Sequence, residues 1–237
     1  MEKKVRIAKY LASCGILSRR KAEELIKSEK IKVNDEILTD LSFKVSADDK
    51  VEYQGKELKY EKNIVIALNK PEGYISSAGD NYKRKTVLDL VNGIEARLYP
   101  VGRLDFDSRG LILLTNDGDF TYKILHPKFQ IPKTYEVEIN DYFSDESIEK
   151  ITNGINIEGR ELLPAAVKIL VRKNNISRIE IKIIEGRKRI IRKAFAKLGY
   201  KVKDLKRTAI GDLKLGNIAE GNYRILSEDE LEKVFKP

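Results

Sequence analysis

Few side chains in this 237-residue sequence suit covalent or acid–base chemistry near neutral pH: it has one cysteine, Cys14, and one histidine, His126. A single thiol and a single imidazole cannot build a disulfide framework or a Cys/His zinc site within the chain. Zinc-dependent base deamination, which needs a His/Cys/Cys ligand set, is excluded on the same ground. Carboxylates are the stronger candidates, and one stretch concentrates them. From Gly102 to Gly110 the sequence reads Gly-Arg-Leu-Asp-Phe-Asp-Ser-Arg-Gly, followed by an apolar run and then Asn116-Asp117-Gly118-Asp119. Glycines bracketing a tight loop between two apolar strands would present Asp105 toward a cleft, where a carboxylate can act as nucleophile or general base. A carboxylate beside turn glycines is more often a turn former or salt-bridge partner, so residue type alone leaves both readings open. Asp105, Asp107, Asp117 and Asp119 also suggest a Mg²⁺ site for phosphoryl transfer. Asn116 to Asp119 is better explained as a turn leading into a helix cap.

Charge narrows the partner. The chain carries a formal +9, and the segment from Gly186 to Arg207 alone holds ten Lys or Arg against one acid, Asp204, so the remainder is neutral overall. A localised basic stripe favours a polyanion through phosphate neutralisation and counterion release. Within it, Ile190, Ile191, Ala194, Phe195 and Leu198 follow helical spacing as an apolar face. Lys188, Arg189, Arg192, Lys193 and Lys197 form the opposite, basic one. At 41% hydrophobic and 35% charged residues, the composition is that of a chain with a real core. No apolar run approaches the roughly 18 residues of a membrane span. The N-terminus lacks the unbroken apolar segment of a signal peptide, so a cytoplasmic protein without membrane contact is expected. Neither a Walker A loop nor a dinucleotide glycine fingerprint is present, and no cofactor is expected.

The elements that position these residues fall into two segments. In the first, Ile7, Tyr10, Leu11 and Cys14 mark a helix ended by Gly15, and Ser18 is placed to N-cap a second helix with Ala22, Leu25 and Ile26 inward. The first turn of that second helix carries Arg19, Arg20 and Lys21, where the helix dipole prefers acids. A bound phosphate would offset that conflict. Ile31 to Val33 and Glu36 to Leu38 read as a hairpin through Asn34-Asp35, and Phe43, Val45, Val51 and Tyr53 suggest two more strands. The charged run from Lys56 to Asn63 reads as an exposed linker. Beyond it, strands are expected at Ile64 to Leu68, Leu98 to Val101, Leu111 to Thr115, Thr134 to Ile139, Val167 to Val171 and Ile176 to Ile184. Helices are expected near 86 to 92, 119 to 125 and 144 to 153, and the mixture reads as α+β.

Two resemblances attach to these residues. Gly15-Ile16, Ser18 to Ala22 and Val33-Asn34 resemble the signature of the S4 RNA-binding domain, with Asp35 standing where that family usually has Gly. Tyr99 to Asp105, continuing through Gly110 to Gly118, closely resembles the RsuA/RluB branch of pseudouridine synthases. Asn69-Lys70-Pro71-x-Gly73, His126-Pro127, Lys133-Thr134-Tyr135, Glu185-Gly186-Arg187 and Gly221 to Leu226 match the same family in the same order. The family usually has Thr at Ser108 and Gln at Ile190. The resemblance implies an S4 domain over residues 1–60 and a mixed, largely antiparallel-sheet catalytic domain over residues 64–237. It implies isomerisation of uridine to pseudouridine in ribosomal RNA, more of the large than of the small subunit, within a precursor particle or on naked RNA, by a monomer. It further implies Asp105 as the catalytic carboxylate, as nucleophile or base, with Arg192 as the cation that keeps it ionised and Tyr135 stacking on the everted base. Arg103 is expected to support the site. Ser18, Arg19, Arg20, Lys21, Lys188, Arg189 and Lys193 are expected to meet RNA, and His126 to be structural. The rival reading is a non-catalytic RNA-binding factor in ribosome assembly or rescue.

Overall fold

A computed structural model describes residues 4–164, 166–173 and 175–236. The chain divides into two compact units, one running to Ile64 and taking in Glu95–Arg97 and Asn116–Gly118, the other holding the rest. In the first, α1 (Ile7–Ser13) and α2 (Arg19–Lys27) follow a short strand β1 (Val5–Arg6). Ile7, Leu11, Ala22 and Ile26 are buried from the two helices against Ile31 and Val51, as their spacing predicts. Ser18 caps α2, its side chain accepting from the Lys21 N–H at 3.3 Å. β2 (Ile31–Val33) and β3 (Glu36–Ile37) form the expected hairpin. Asn34 at φ 51° and Asp35 at φ 68° both occupy the left-handed region, so the turn accommodates Asp where Gly is usual.

β1 pairs with β4 (Lys44–Val45), and β5 (Val51–Tyr53) joins β2. The segment read as a linker begins otherwise. Lys56–Glu57 is a strand, β6, turned back on β5 through Gln54-Gly55, and Leu58 is buried with its carbonyl accepting from the Tyr10 hydroxyl at 2.7 Å. Its charged side chains point outward from an edge strand, which hid the strand in a sequence scored by apolar anchors.

The second unit is built on one sheet, here in chain order: β7 (Val65–Lys70), β8 (Tyr99–Pro100), β9 (Arg109–Thr115) and β10 (Lys133–Ile139). A two-stranded ribbon of β11 (Ile155–Ile157) and β12 (Arg160–Leu162) then precedes β13 (Ala166–Lys173) and β14 (Ile176–Ile183). β15 (Val202–Ile210), β16 (Leu213–Lys214) and β17 (Tyr223–Ile225) complete the set. The spatial order is β13-β14-β10-β15-β9-β7-β17, with β8 beside β9 and β16 beside β15. Every pairing is antiparallel except β15 with β9, so the fold is the largely antiparallel α+β architecture expected. β7 is buried along its whole length and β9 nearly so, which is why both read as continuous apolar runs. The central strand β15 escaped sequence reading because Val-Lys-Asp-Leu-Lys-Arg-Thr lies inside the basic stripe and alternates charge with its inward residues.

The connecting elements are α3 (Gly118–Leu125), α4 (Asp145–Thr152), α5 (Ile190–Lys197) and α6 (Glu228–Lys233). Residues near 86 to 92 make only a 3₁₀ turn, Val87–Leu90, under a Thr86/Asp89 capping box. Phe195 of α5 stacks on Phe143 with centroids 5.1 Å apart, fixing the helix to the segment that follows β10. Where β9 enters the sheet, Gly110 has φ 102°, and a Cβ there would lie 2.3 Å from the Arg207 carbonyl oxygen of β15. Backbone cannot yield as a flexible side chain does, so Gly110→Ala should destabilise the protein by about 2–4 kcal/mol, read as a lower urea midpoint. Gly55→Ala, also at positive φ but into open space, should cost about 1 kcal/mol.

Candidate active site

Lys70, the last residue of β7, is fully buried, and its ammonium donates to the carbonyls of Pro71 at 3.0 Å, Asp105 at 3.1 Å and Ser108 at 2.6 Å. A buried amine survives only with its donors satisfied, so these three acceptors fix the turn from Asp105 to Ser108. The Ser108 N–H bonds back to the Asp105 carbonyl at 3.1 Å, and the Gly73 N–H donates to the Phe106 carbonyl at 2.9 Å. One step earlier, the buried Ser76 hydroxyl donates to the Leu104 carbonyl at 2.9 Å and accepts from the Leu104 N–H at 3.0 Å. The turn is thus held through its backbone, which leaves the Asp105 side chain out of the task. Asp105 stands half-buried in the wall of a cleft of about 850 Å³. Among the described residues no donor engages its carboxylate.

Asp107, two residues on, behaves oppositely. Arg189 grips it in bidentate fashion at 2.9 and 3.0 Å, and Arg192 adds a 3.4 Å contact from Nε to the carboxylate and a 2.6 Å hydrogen bond to the Asp107 carbonyl. The Arg189 hydrogen bonds hold its carboxyl below the usual aspartate range despite partial burial. Arg192 was expected beside Asp105. Its guanidinium instead spans Asp107 and the Val202 carbonyl at 3.0 Å, locking α5 to the loop. The cations whose charge does interact with Asp105 include Lys70 and Arg189. Arg189 N-caps α5 in a left-handed conformation, φ 54°, which aims its side chain at the loop.

Tyr135 lies on β10, buried, in the lining of the same cleft, with the Arg207 guanidinium 6.0 Å from its ring centroid. Arg207 is itself buried, its Nε bonded to the Leu111 carbonyl at 2.6 Å. Lys133 also lines the cleft, and burial together with Arg207 pushes its amine down to about 8. Arg103 and Lys188 are exposed on the cleft wall. Ile190, standing where the family usually has Gln, is buried on the apolar face of α5 and needs no polar partner.

The basic stripe is less free than its composition implied. Arg187 pairs with Glu185, Arg189 and Arg192 with Asp107, Lys193 with Glu158, and Lys203 with Glu138. Lys197 and Arg207 are bonded to backbone carbonyls. Lys188 remains an exposed cation at the cleft, whereas Lys193, expected to meet RNA, is held by Glu158 at 2.6 Å. Arg19, Arg20 and Lys21 are exposed on the first turn of α2, where no acid accompanies them. His126 N-caps a 3₁₀ turn, its Nδ1 accepting from the Lys128 N–H at 3.3 Å, as its structural assignment requires. Of the four acids that suggested a metal, Asp117 accepts from Asn63 at 2.9 Å and Asp107 is taken by its arginines. Among the described residues no three His, Cys, Asp or Glu converge as metal ligands do.

Sequence reasoning assigned no role to Lys70, Arg207 or the Asp107 clamp. A signal existed for Lys70, since an amine ending the buried run Val65 to Asn69 ahead of Pro71 must find acceptors.

The RNA pseudouridylate synthase family matches residues 64–197, and the S4 domain matches residues 5–51. The chain belongs to the RNA pseudouridylate synthase family. It is 41% identical to ribosomal large subunit pseudouridine synthase B of Bacillus subtilis, over 97% of this chain and 95% of that one. It is 31% identical to ribosomal small subunit pseudouridine synthase A of Vibrio vulnificus, over 98% of this chain and all of that one. A crystal structure of a pseudouridylate synthase superposes with a TM-score of 0.69 at 32% identity, covering 97% of this chain and 99% of that one. The enzyme therefore rearranges a nucleoside within RNA, and the Asp105 cleft is where its fold gathers the matching motifs.

Removing the amine behind the loop should separate loop order from fold. Lys70→Met should reduce kcat by roughly 100-fold, through displacement of the loop, in a single-turnover assay. Burial lowers the Lys70 pKa from 10.5 to about 8. The unfolded chain then holds the extra proton between those values, so this group's contribution to stability rises with pH across that window. The neutral amine keeps only two N–H donors for three carbonyls. Activity should accordingly fall above about pH 8 while the melting temperature does not fall with it.

Proposed function

We propose that this enzyme converts a uridine of ribosomal RNA, in the large subunit, to pseudouridine, with Asp105 as its catalytic carboxylate. The reading is supported above all by Asp105 itself: an aspartate whose carboxylate meets no donor among the described residues, lining the same cleft as Tyr135, under the field of Lys70 and Arg189. The reaction breaks the bond between uracil N1 and ribose C1′, turns the freed base and joins its C5 to the same C1′. The C5 proton is lost and N1 gains one, so atoms and charge balance without an oxidant or a second substrate. Asp105 contributes in its ionised form, either by attacking ribose or by removing a ribose proton. Lys70 and Arg189 supply positive charge near it. Tyr135 stacks on the everted base, since the glycosidic carbon is out of reach inside a helix. Arg103 and Lys188, at the cleft wall, meet the adjoining phosphates.

Residues 1–60 act as the RNA-docking domain and residues 64–237 as the catalytic one. Ser18 orders the first turn of α2 so that its free N–H groups and Arg19, Arg20 and Lys21 receive a phosphate of folded RNA. The large-subunit target is favoured by the 41% identity to the B-type synthase against 31% to the small-subunit enzyme. The enzyme works as a cytoplasmic monomer. No helix among the described residues is long and apolar enough to cross a membrane.

Asp105→Asn should abolish tritium release from ribosomal RNA fragments labelled at uracil C5 while leaving RNA affinity within a few fold. Turnover that survives the substitution would move the chemistry to another residue. Replacing Arg19, Arg20 and Lys21 together by Ala should weaken binding and reduce the slope of log affinity against log salt by roughly two to three.

A further inference from the structure

Beside the cleft the molecule exposes an aromatic group that neither the catalytic turn nor the core uses. α3 buries Phe120 and Ile124 on one face and carries Tyr122 on the other, 48% exposed. The 3₁₀ turn that follows adds Phe129, 37% exposed, and His126 lies between them. Ring centroids are 4.7 Å apart for Tyr122 and His126 and 6.0 Å for Tyr122 and Phe129. The Lys128 ammonium sits 5.4 Å from the Tyr122 centroid and 4.7 Å from that of Phe129. From Tyr122 to Gln130 the segment carries Lys123 and Lys128 and no acid.

Three observations select the occupant. The surface is continuous with the cleft, because His126, whose ring packs on Tyr122 and Phe129, itself lines the cleft. Its charge complements a phosphodiester and opposes a basic partner. Its apolar area consists of π faces with a cation set over them, an arrangement that suits a flat heteroaromatic ring better than an aliphatic side chain. Unpaired bases bind such sites with little regard to sequence, since every base has a π face, while a nearby cation meets the backbone.

We propose that Tyr122 and Phe129, with Lys128, form a stacking site for an unpaired nucleotide neighbouring the one that enters the Asp105 cleft. The proposal rests on the reading of the cleft as a pseudouridine-forming site on RNA. It adds a requirement on the substrate: the strand next to the target must leave the helix as well, and its first unpaired base settles on Tyr122. A fully paired flank could not reach the site.

The test uses the full-length protein and hairpin RNAs with one loop uridine flanked by adenosines. In one series each adenosine in turn is replaced by 2-aminopurine, in another by an abasic residue. Wild type should quench 2-aminopurine at one flanking position, and the abasic residue at that position should weaken binding about tenfold. Tyr122→Ala should abolish the quench and weaken binding of the intact hairpin by a similar factor, with no further loss on the abasic one. Tyr122→Phe should restore both signals, and Tyr142→Ala, an exposed aromatic elsewhere, should change neither. Equal quenching at all flanking positions, or equal affinity for intact and abasic hairpins, would overturn the stacking site, and the abasic arm decides this on wild type alone. Tritium release from labelled ribosomal RNA is measured in parallel. Release without position-specific quenching sinks only the stacking site, whereas quenching without release sinks the catalytic reading and keeps the site.

Discussion

The turn that carries Asp105 depends on one buried ammonium. Lys70 ends a strand sealed on both faces, and its charge is tolerated there because three carbonyls surround it, that of the adjoining Pro71 and those of Asp105 and Ser108 in the neighbouring loop. The dependence runs both ways. Those carbonyls, turned inward to serve the amine, set the backbone from Pro71 to Ser108, and with the backbone fixed the Asp105 side chain has only the cleft to face. Burial of an unpaired cation would oppose folding by several kcal/mol, so turn and strand must form together.

Around that anchor two aspartates two residues apart are given different environments. Asp107 takes Arg189 and Arg192, and the pair of guanidiniums joins α5 to the loop. Asp105 takes none. An acid that must meet a ligand cannot also be saturated by internal donors, whereas one that braces a helix must be. Asp107 thus absorbs the arginines that would otherwise neutralise its neighbour, and leaves a positive field from Lys70 and Arg189 without contact. The internal use of Arg187, Lys193, Lys197, Lys203 and Arg207 has a similar consequence. Much of the basic segment between Gly186 and Arg207 is engaged within the protein, whereas Lys188 and the first turn of α2 keep exposed cations.

The sheet supplies the remaining constraint. β15 lies between β10 and β9 and makes the single parallel pairing, where Gly110 and Arg207 come so close that only a hydrogen fits at the glycine. This approach carries Arg207 beneath Tyr135 on one neighbour and next to the start of β9 on the other. The aromatic and carboxylate sides of the cleft are therefore held in register by one strand.

Sequence alone determined the two-part organisation and most elements, because these depend on local signals. Ser18 as a cap, Asn34-Asp35 as a left-handed turn, the apolar runs of β7 and β9, and the glycines flanking Asp105 are each legible within a few residues. Tertiary structure decided the pairings. Arg189 and Arg192 both follow the matched Glu185-Gly186-Arg187 motif and look alike as charges, yet which acid each meets is set by where α5 docks, some eighty residues from the loop. β15 was masked for a related reason: a strand whose alternate residues are charged looks like a solvated surface until the partners on either side are known. Lys70 was visible in its motif, but two of its three carbonyl acceptors, Asp105 and Ser108, reach it only after the loop between β8 and β9 folds over it.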